Sequence, residues 1–382
     1  PATPNGMRIM PGGFARISDR ADARAISMGQ GARTADGWIA GDAPVPRVTL
    51  LGSQDDTKVR RVTGLLPSRA AENLFWLGRY LERAESTLRL IRALCTSLMD
   101  AEAAIHTTGE TLARVQRLLI EAGALEKGAS GGRAFDAARS ALYDADAIGA
   151  VVRLVGMARR AGDSMRERLS ADFWALLVRL ESRLVDGRDS VRTEVDALEQ
   201  FEAALQSIAA LSGLAQENMN RTAGWRFLDT GRRIERGINI CNYTLALART
   251  ESTSDDLDLL LDLADSQITY RARYLVGLAL VPVRDMVMLD PFNTRALAFQ
   301  LVTLKQHLAL LPALVDDGML EPHARILLAL ATQVETGDAR TLDAATIQGF
   351  ETELMRLSDA IAARYFLQGA NAVPTIKLAG LA

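Results

Sequence analysis

The sequence predicts an all-α protein, a large multi-helix bundle preceded by a short glycine-rich, β-like segment. From residue 66 onward, helix-forming residues follow one another with few interruptions, and apolar side chains recur at helical spacing. Residues 1 to about 64 instead hold paired and interspersed glycines and short strand-like runs, which are typical of strands joined by turns. Because 48% of the chain is hydrophobic, the bundle can bury a sizeable core.

The apolar periodicity and the positions of glycine and proline predict ten helices after a linker over residues 43–64. One of them begins at Asp290 and Pro291, because Asp is a favourable N-cap residue and Pro is tolerated in the first helical turn. The predicted helices are 68–104, 109–121, 133–159, 163–185, 190–211, 215–249, 255–280, 290–314, 320–334 and 341–368.

The first predicted helix carries two stripes on opposite sides. One is an apolar stripe of the kind that faces a core, formed by Leu74, Leu77, Leu81 and Leu88. The other is mostly charged and consists of Glu72, Trp76, Arg79 and Arg83. Two interpretations remain open: the charged stripe is a solvated face with ordinary ion pairs, or Trp76 draws it inward so that its charges line a polar cavity and must be paired.

The polar motif of this helix has a second copy 153 residues later. Gly78-Arg-Tyr-Leu-Glu-Arg-Ala84 and Gly231-Arg-Arg-Ile-Glu-Arg-Gly237 share the pattern Gly-Arg-x-aliphatic-Glu-Arg-small. Two helices with the same polar motif suit a bundle in which both face a shared centre. If the two motifs do face a shared centre, we expect Arg79 and Arg232 to point inward. Their expected acidic partners are among Glu72, Glu82, Asp229 and Glu235.

Two further stretches offer anion-binding side chains. Tyr270, Arg271, Arg273 and Tyr274 lie within five residues of one another, and two phenols and two guanidiniums serve equally well to bind an anion or to tie helices together. Asn293 and Arg295 follow the predicted helix start at Asp290. Because a positive charge is unfavourable at a helix N-terminus, we expect an acidic partner or a ligand to hold Arg295 there.

Composition argues against several classes of function. A net charge of −3 gives no sign of binding to nucleic acid or to an acidic membrane. Two cysteines and three scattered histidines fit neither a disulfide framework nor a metal site. The sequence shows no signal peptide and no apolar run long enough to span a membrane, so we expect a cytoplasmic protein.

The stretch Glu72-Asn-Leu-Phe-Trp-Leu-Gly-Arg-Tyr-Leu-Glu-Arg-Ala84 resembles the opening helix of the bacterial Alpha-E helical domain family. The resemblance implies a helical domain over residues 65–382 that works beside, or fused to, a circularly permuted ATP-grasp protein. Together with the motifs above, it gives a candidate site for a carboxylate, a phosphate or a substrate. The candidate residues are Glu72, Arg79, Glu82, Arg83, Arg232, Glu235, Arg236, Tyr270, Arg271, Tyr274, Asn293 and Arg295.

Residues 1–64 resemble the last strands of a circularly permuted ATP-grasp domain, followed by the linker. The resemblance rests on residues 10–16, 27–28 and 31–38, and it implies a Gly12-Gly13 turn with Arg16 close to nucleotide phosphates. A flexible arm is the alternative for this segment. Since so little of the ATP-grasp fold is present, we expect no cofactor in this chain alone. ATP and Mg²⁺ are implied only for an associated ATP-grasp domain.

Three functions follow from these observations. The chain is an accessory domain of an ATP-grasp carboxylate–amine ligase system, with an ATP-grasp partner in cis or in trans and a peptide or amino-acid substrate. Alternatively, it is an enzyme in its own right that uses Glu72, Glu82 or Glu235 as a general base, or a structural module whose charges form closed ion-pair networks. A pocket open to solvent between the first helix and the 215–249 helix favours the first two functions, and a closed network favours the third.

Overall fold

The structure of the protein, a computed structural model, describes residues 2–3, 6–7, 12–17, 33–38, 66–102, 109–126, 134–275, 277–312 and 318–366. The predicted linker over residues 43–64 lies outside these residues, as does Ser27-Met28. The chain divides into two units, residues 1–62 and residues 63–382.

The described residues of the first unit form two antiparallel strand pairs, as its β-like composition predicts. Strand β1 (Ala2–Thr3) pairs with β2 (Gly6–Met7), and β3 (Gly12–Ile17) pairs with β4 (Arg33–Trp38). The predicted Gly12-Gly13 turn is wrong, because both glycines belong to β3, where they pair with Trp38 and Gly37 of β4. Arg16 lies in the same strand, opposite Thr34. Backbone pairing with β4 therefore holds the two glycines in an extended conformation.

The described part of the second unit is helical, which confirms the predicted all-α class. Its helices are α1 (Ser68–Glu102), α2 (Gly109–Glu121), α3 (Ala134–Tyr143), α4 (Val151–Asp163), α5 (Ala171–Asp186), α6 (Glu194–Asn218), α7 (Ala223–Leu247), α8 (Ser254–Leu263), α9 (Gln267–Arg273), α10 (Leu280–Arg284), α11 (Leu297–Leu308), α12 (Pro322–Glu335) and α13 (Ala344–Tyr365). Shorter helical turns occupy Arg166–Arg168, Gly187–Asp189 and Asp285–Leu289.

Several helices begin where short polar side chains satisfy the first backbone N–H groups. Thr193 is the N-cap residue of α6 and Thr253 is that of α8, and each forms a reciprocal capping box with the aspartate three residues later. Asp343 caps α13 through the backbone N–H of Thr346. The predicted starts of these three helices lie within four residues of the observed ones, whereas α7 begins at Ala223 rather than at the predicted residue 215.

The predicted helix 133–159 is wrong, because α3 and α4 are separate helices joined by residues 144–150. Asp144 accepts a hydrogen bond from the backbone of Asp146, and this competes with helix continuation. Gly149 lies against the backbone of Ala122, so closely that a Cβ would be 2.1 Å from its carbonyl oxygen. In the neighbouring segments, α5 begins at Ala171 rather than at residue 163, and α6 continues to Asn218 rather than ending at residue 211.

The predicted helices 255–280 and 290–314 are also interrupted. Helix α8 ends at Leu263, and the following residues form α9, an extended stretch and α10. Asp290 follows the π-helical turn Asp285–Leu289, and α11 begins only at Leu297. Asp290 is therefore not the predicted N-cap residue: its carboxylate accepts the backbone N–H of Phe292 and pairs with Arg273 instead.

Helix α1 is the central element of the second unit, and it packs against α2, α3, α4, α6, α7, α8 and α13. Its closest neighbour is α7, which it crosses at two glycines. A Cβ on Gly78 would lie 2.1 Å from the carbonyl oxygen of Leu228, and one on Gly231 would lie 2.0 Å from that of Phe75. The two backbones therefore touch at this crossing, and only glycine fits at either position.

We predict that Gly78→Ala and Gly231→Ala each destabilise the protein by about 1–3 kcal/mol or more, because the helices must separate to admit a methyl group. Gly213→Ala is the matched control, since it also lies within a helix but no atom lies within 4 Å of an added Cβ. That change should stabilise the chain by about 0.5–1 kcal/mol through helix propensity. Urea unfolding of the three variants measures the difference, and an equal effect at all three positions would contradict the close crossing.

Candidate functional site

The two Glu-Arg motifs meet at the crossing of α1 and α7, where each glutamate binds the arginines of the other helix. Glu235 accepts hydrogen bonds from Nε of Arg79 and from Nε of Arg83, both at 2.6 Å. Glu82 accepts from Nε of Arg236 at 2.6 Å and from Nε of Arg232 at 3.3 Å. Arg79, Glu82 and Arg83 of α1 correspond to Arg232, Glu235 and Arg236 of α7 at the offset of 153 residues. Each glutamate thus binds the two arginines that correspond to its own neighbours, so the crossing has local two-fold pseudosymmetry.

Most of these charged groups are buried. Arg79 is 6% exposed, Glu82 4%, Glu235 3% and Arg236 7%. Charges this far from water are tolerated only when they are paired. The structure therefore confirms the predicted inward pairing of Arg79 and Arg232, and the solvated-face interpretation is wrong for Arg79.

The stripe is nevertheless not uniform along α1. The side chain of Arg83 is 37% exposed, so it lies where the crossing reaches solvent. Glu72 is half-buried and has no ion pair among the residues that the structure describes. Trp76 contributes to the inward half, since the guanidinium carbon of Arg79 lies 5.2 Å from its ring centroid.

A second group of charges extends the pairing from the Glu82 side of the crossing. Glu85 accepts hydrogen bonds from Arg89 at 2.9 Å and from Arg295 at 2.6 Å. Asp265 binds the same two arginines, at 2.7 Å and 3.1 Å. This confirms that an acidic partner holds Arg295. The residue lies just before α11, however, and not in the first turn of a helix as predicted.

A third group continues from Arg232 towards the N-terminus of α7, since Asp229 lies 4.0 Å from Arg232. Asp229 accepts a hydrogen bond from Arg233 at 3.0 Å and lies 2.7 Å from Nε2 of His307. Arg233 also donates to the side-chain oxygen of Gln300. Burial raises the pKa of the Asp229 carboxyl, but the hydrogen bond from His307 and the charge of Arg233 outweigh it, so that the pKa lies well below its ordinary value.

Positive charge exceeds negative charge across these three groups. Burial lowers the pKa of Arg232 and of Arg295, and the neighbouring guanidinium of Arg236 lowers both further. For Glu85, burial raises the pKa, but Arg295, Arg236 and Arg89 outweigh burial and hold the value well below its ordinary range. Seven guanidiniums face five carboxylates: Arg79, Arg83, Arg89, Arg232, Arg233, Arg236 and Arg295 against Glu82, Glu85, Asp229, Glu235 and Asp265.

A cavity of about 270 Å³ opens beside the Arg83–Glu235 pair, between α1, α2, α4 and α7. Its polar lining is Arg83, Ser86, Thr87, Glu121, Glu235, Asn239, Asn242 and Tyr243. Its apolar lining is Leu90, Leu118, Ala122, Leu154 and Ile238. The Tyr243 and Ser86 hydroxyls share a hydrogen bond, and burial raises the pKa of Tyr243 to about 12. The Nδ2 atom of Asn239 is buried and has no hydrogen-bond partner among the described residues.

A larger cavity of about 520 Å³ continues from the first, with Leu118, Glu121 and Asn242 lining both. Three arginines, Arg114, Arg117 and Arg249, line this larger cavity together with the carboxylates of Glu121 and Glu351. By contrast, the spaces found among the described residues on the Glu82 side of the crossing are small, about 20 Å³ each. The two pseudosymmetric halves therefore differ: the half that contains Glu235 is open, whereas the half that contains Glu82 is filled.

The structure does not bring the remaining candidate residues into the cluster. The Tyr270 hydroxyl accepts the backbone N–H of Ala279 and donates to the carbonyl of Gly277, so it ties an extended stretch to α9. The Tyr274 ring packs on Tyr270, with ring centroids 4.9 Å apart. Arg271 has a side chain that is 72% exposed. Their role in anion binding stays a prediction.

Asn293 is also engaged by protein groups. Its amide donates to the Ser266 hydroxyl at 2.9 Å and to the Met286 carbonyl at 2.8 Å. Its side-chain oxygen accepts the backbone N–H of Arg295 at 3.1 Å. The residue thus orders the segment that positions Arg295 rather than facing a cavity.

Several members of the site are not among the candidate residues predicted from the sequence. Glu85 and Arg89 follow Glu82 at i+3 and i+7, so helical spacing alone places them on the same face of α1. Asp265 gave no such signal, because its position depends on the end of α8. Asn239, Asn242 and Tyr243 likewise required knowledge of which face of α7 meets α2.

Two features are absent from the described residues. Nowhere in them do three or more His, Cys, Asp or Glu side chains come together in a group that could hold a metal ion. None of their helices combines the length and the apolar character needed to cross a membrane.

The fold and the site define an all-α bundle organised around paired Glu-Arg dipeptides. Residues 66–366 match the sequence model of the Alpha-E family, described as a predicted alpha-helical domain with a conserved ER motif. The chain therefore belongs to the Alpha-E family. Glu82-Arg83 and Glu235-Arg236 both fit that description and both lie at the crossing, whereas a third such dipeptide, Glu167-Arg168, is exposed.

Curated relatives come from mycobacteria. The chain is 27% identical over 308 residues to the uncharacterized protein Rv2567 of Mycobacterium tuberculosis and, to the same extent, to the uncharacterized protein Mb2597 of Mycobacterium bovis. Each match covers 76% of this chain and 34% of the relative, so the chain spans about a third of the length of the relatives it matches. No solved structure matches the chain significantly.

We predict that Arg79→Ala destabilises the protein by about 3–5 kcal/mol, because it removes one of the two guanidiniums paired with buried Glu235. Arg356→Ala is the control, since Arg356 pairs with Glu353 at 2.6 Å but its side chain is 62% exposed. That control should cost less than about 0.5 kcal/mol. Chemical unfolding of both variants provides the test, and a small effect for Arg79→Ala would show that the pair is solvated.

The protein should also lose stability in acid. The pKa values of Glu85, Asp229 and Asp265 all lie below their ordinary values of 4.5, 3.8 and 3.8. A lowered pKa contributes stability that is complete above the unfolded-state value and is lost as the pH falls below it. The free energy of unfolding should therefore decline as the pH falls from about 5 towards 2. Urea unfolding at several pH values should show a shallower decline in Glu85→Gln than in the surface control Glu353→Gln.

Proposed function

We propose that the cavity beside Arg83 and Glu235 binds the charged end of an amino acid or a short peptide. The observation that carries this proposal is the pairing of a half-exposed guanidinium with a buried carboxylate at the wall of an open cavity. Among its described contacts, Arg83 uses only Nε towards Glu235, so both terminal nitrogens remain to hold a carboxylate bidentately. The surplus of positive charge across the crossing favours an anion at this point.

The rest of the lining suits the same ligand class. Glu235 offers a carboxylate beside the guanidinium, as a ligand ammonium group requires, and Asn239 and Asn242 add amide groups. Leu90, Leu154 and Ile238 supply an apolar wall for a side chain. A volume of about 270 Å³ lies near the lower end of the roughly 300–1,000 Å³ that is usual for small-molecule sites. A small zwitterion with an apolar side chain matches this combination.

We further propose that the chain acts as the helical accessory domain of an ATP-grasp carboxylate–amine ligase system, in cis or in trans. Such ligases activate a carboxylate as an acyl phosphate and join it to an amine, so a domain that binds amino-acid or peptide ends would present one reactant. The resemblance of residues 10–38 to ATP-grasp strands supports this role, and the greater length of the mycobacterial relatives leaves room for a ligase core. ATP and Mg²⁺ would be bound by that core.

The other two functions have less support. Glu82 and Glu235 each accept hydrogen bonds from two guanidiniums, which leaves either carboxylate poorly suited to take a proton as a general base. A purely structural role fits the filled Glu82 side of the crossing. It gives no account of the open cavity on the Glu235 side.

Binding of L-leucine and of L-leucinamide, measured by calorimetry, tests the proposed site. L-leucine should bind more tightly than its amide, and Arg83→Gln should weaken L-leucine binding about ten-fold or more, as expected for a charged hydrogen bond. Arg92→Gln is the matched control, because Arg92 lies on the same helix and pairs with Asp262 away from the cavity. Equal binding of the two probes, or equal losses in the two variants, would contradict a carboxylate site at Arg83.

A further inference from the structure

The end of helix α8 carries a residue in an unusual backbone conformation. Asp265 has a φ of 48°, and it is the single non-glycine residue with positive φ among those the structure describes. The backbone N–H of Ser266 donates to Leu261 at 2.7 Å and that of Asp265 donates to Asp262 at 3.0 Å, as in a Schellman motif. Glycine is the usual residue at this position, because a side chain there costs conformational free energy.

The side chain of Asp265 explains why an aspartate is held there. Its two carboxylate oxygens accept hydrogen bonds from Nη1 and Nη2 of Arg89 at 2.9 Å and 2.7 Å, which makes a bidentate guanidinium–carboxylate pair. Arg295 adds a contact at 3.1 Å from its Nη2 atom. The carboxylate thus fills a fork made by two guanidiniums.

Exposure distinguishes Asp265 from the other members of this group. The side chain of Asp265 is 50% exposed, whereas those of Arg89 and Arg295 are 10% and 18% exposed. Glu85, which binds the same arginines from within α1, is 6% exposed. The arginines and Glu85 therefore form the buried floor, and Asp265 covers it from the solvent side.

We propose that Arg89 and Arg295 form a second carboxylate-binding site, which Asp265 occupies at rest and from which a ligand carboxylate displaces it. The exposed position of Asp265 makes the exchange accessible, because its carboxylate can move from the fork into water while the helix-end backbone keeps its conformation. This site lies on the Glu82 side of the crossing, opposite the cavity at Arg83, so it does not depend on the function proposed for that cavity.

The ligand is a monovalent carboxylate rather than a phosphate. The fork already matches a planar carboxylate through two parallel hydrogen bonds from Arg89. The buried charge of Glu85 lies directly beneath, since it binds both guanidiniums. A second negative charge on the ligand would be repelled by it, which disfavours a phosphate dianion.

Other charged residues lie close to the site. Arg236 lies 3.6 Å from Glu85, and Arg295 lies 3.9 Å from Glu82. When Asp265 is displaced, the two guanidiniums of the fork face one carboxylate, that of Glu85, so positive charge exceeds negative charge by one. A ligand carboxylate therefore replaces the charge that Asp265 supplied.

Acetate titrations followed by NMR, at constant ionic strength, test this proposal in the full chain. Asp265→Asn and Asp265→Gly remove the resident carboxylate and should bind acetate about ten-fold or more tightly than the wild type, because they remove an intramolecular competitor. Asp262→Asn is the matched control, since it removes a carboxylate from the same helix end but from the pair with Arg92. Its affinity for acetate should equal that of the wild type.

One expectation about folding and two further readouts complete the test. Asp265→Gly supplies the residue that the helix end favours, so the fold is expected to persist. In the wild type, acetate should perturb the backbone amide of Ser266 more weakly but measurably. Replacing Arg295 by Gln in the Asp265→Gly background should abolish the gain in affinity for acetate. An equal gain with inorganic phosphate, no gain in either Asp265 variant, or an unperturbed Ser266 amide in the wild type would overturn the proposal.

Discussion

The close approach of α1 and α7 at Gly78 and Gly231 is the constraint on which the rest of the site depends. Because each glycine lies against the backbone of the other helix, side chains one turn away reach directly across the crossing. Glu82 and Glu235 therefore meet arginines of the opposite helix, at 2.6 Å in the closest pairs. At a larger separation these charges would need water between them, and the crossing could not stay dry.

Desolvation makes this pairing obligatory. A buried guanidinium without a partner is strongly unfavourable, so each arginine of the motif requires the glutamate of the other copy. The result is a polar centre in which both helices are held in one register, since sliding by a single residue would misalign both glycines and both glutamates. Whether such ion pairs contribute net stability over apolar residues is a separate matter, and their better-attested contribution is specificity of arrangement.

The two pseudosymmetric halves diverge because their surroundings differ. Beside Glu235, helices α2 and α4 leave a cavity that reaches solvent at Arg83. Beside Glu82, the end of α8 and the segment before α11 bring in Asp265 and Arg295 and fill the equivalent space. One repeated motif thus produces an open, ligand-sized recess on one side and a closed cluster of arginines and carboxylates on the other.

The sequence by itself determined the all-α class and most helix positions, because periodicity and capping are local properties, but it left the charged stripe of the first helix open to both a solvated and an inward, paired arrangement. The tertiary structure decided which glutamate meets which arginine, since that depends on the glycine contact between α1 and α7. It also decided the helix breaks at residues 144–150 and 290–296. The recruitment of Asp265 and the cavity beside Arg83 arise from contacts between segments far apart in the chain, and such contacts leave no periodic pattern in the sequence.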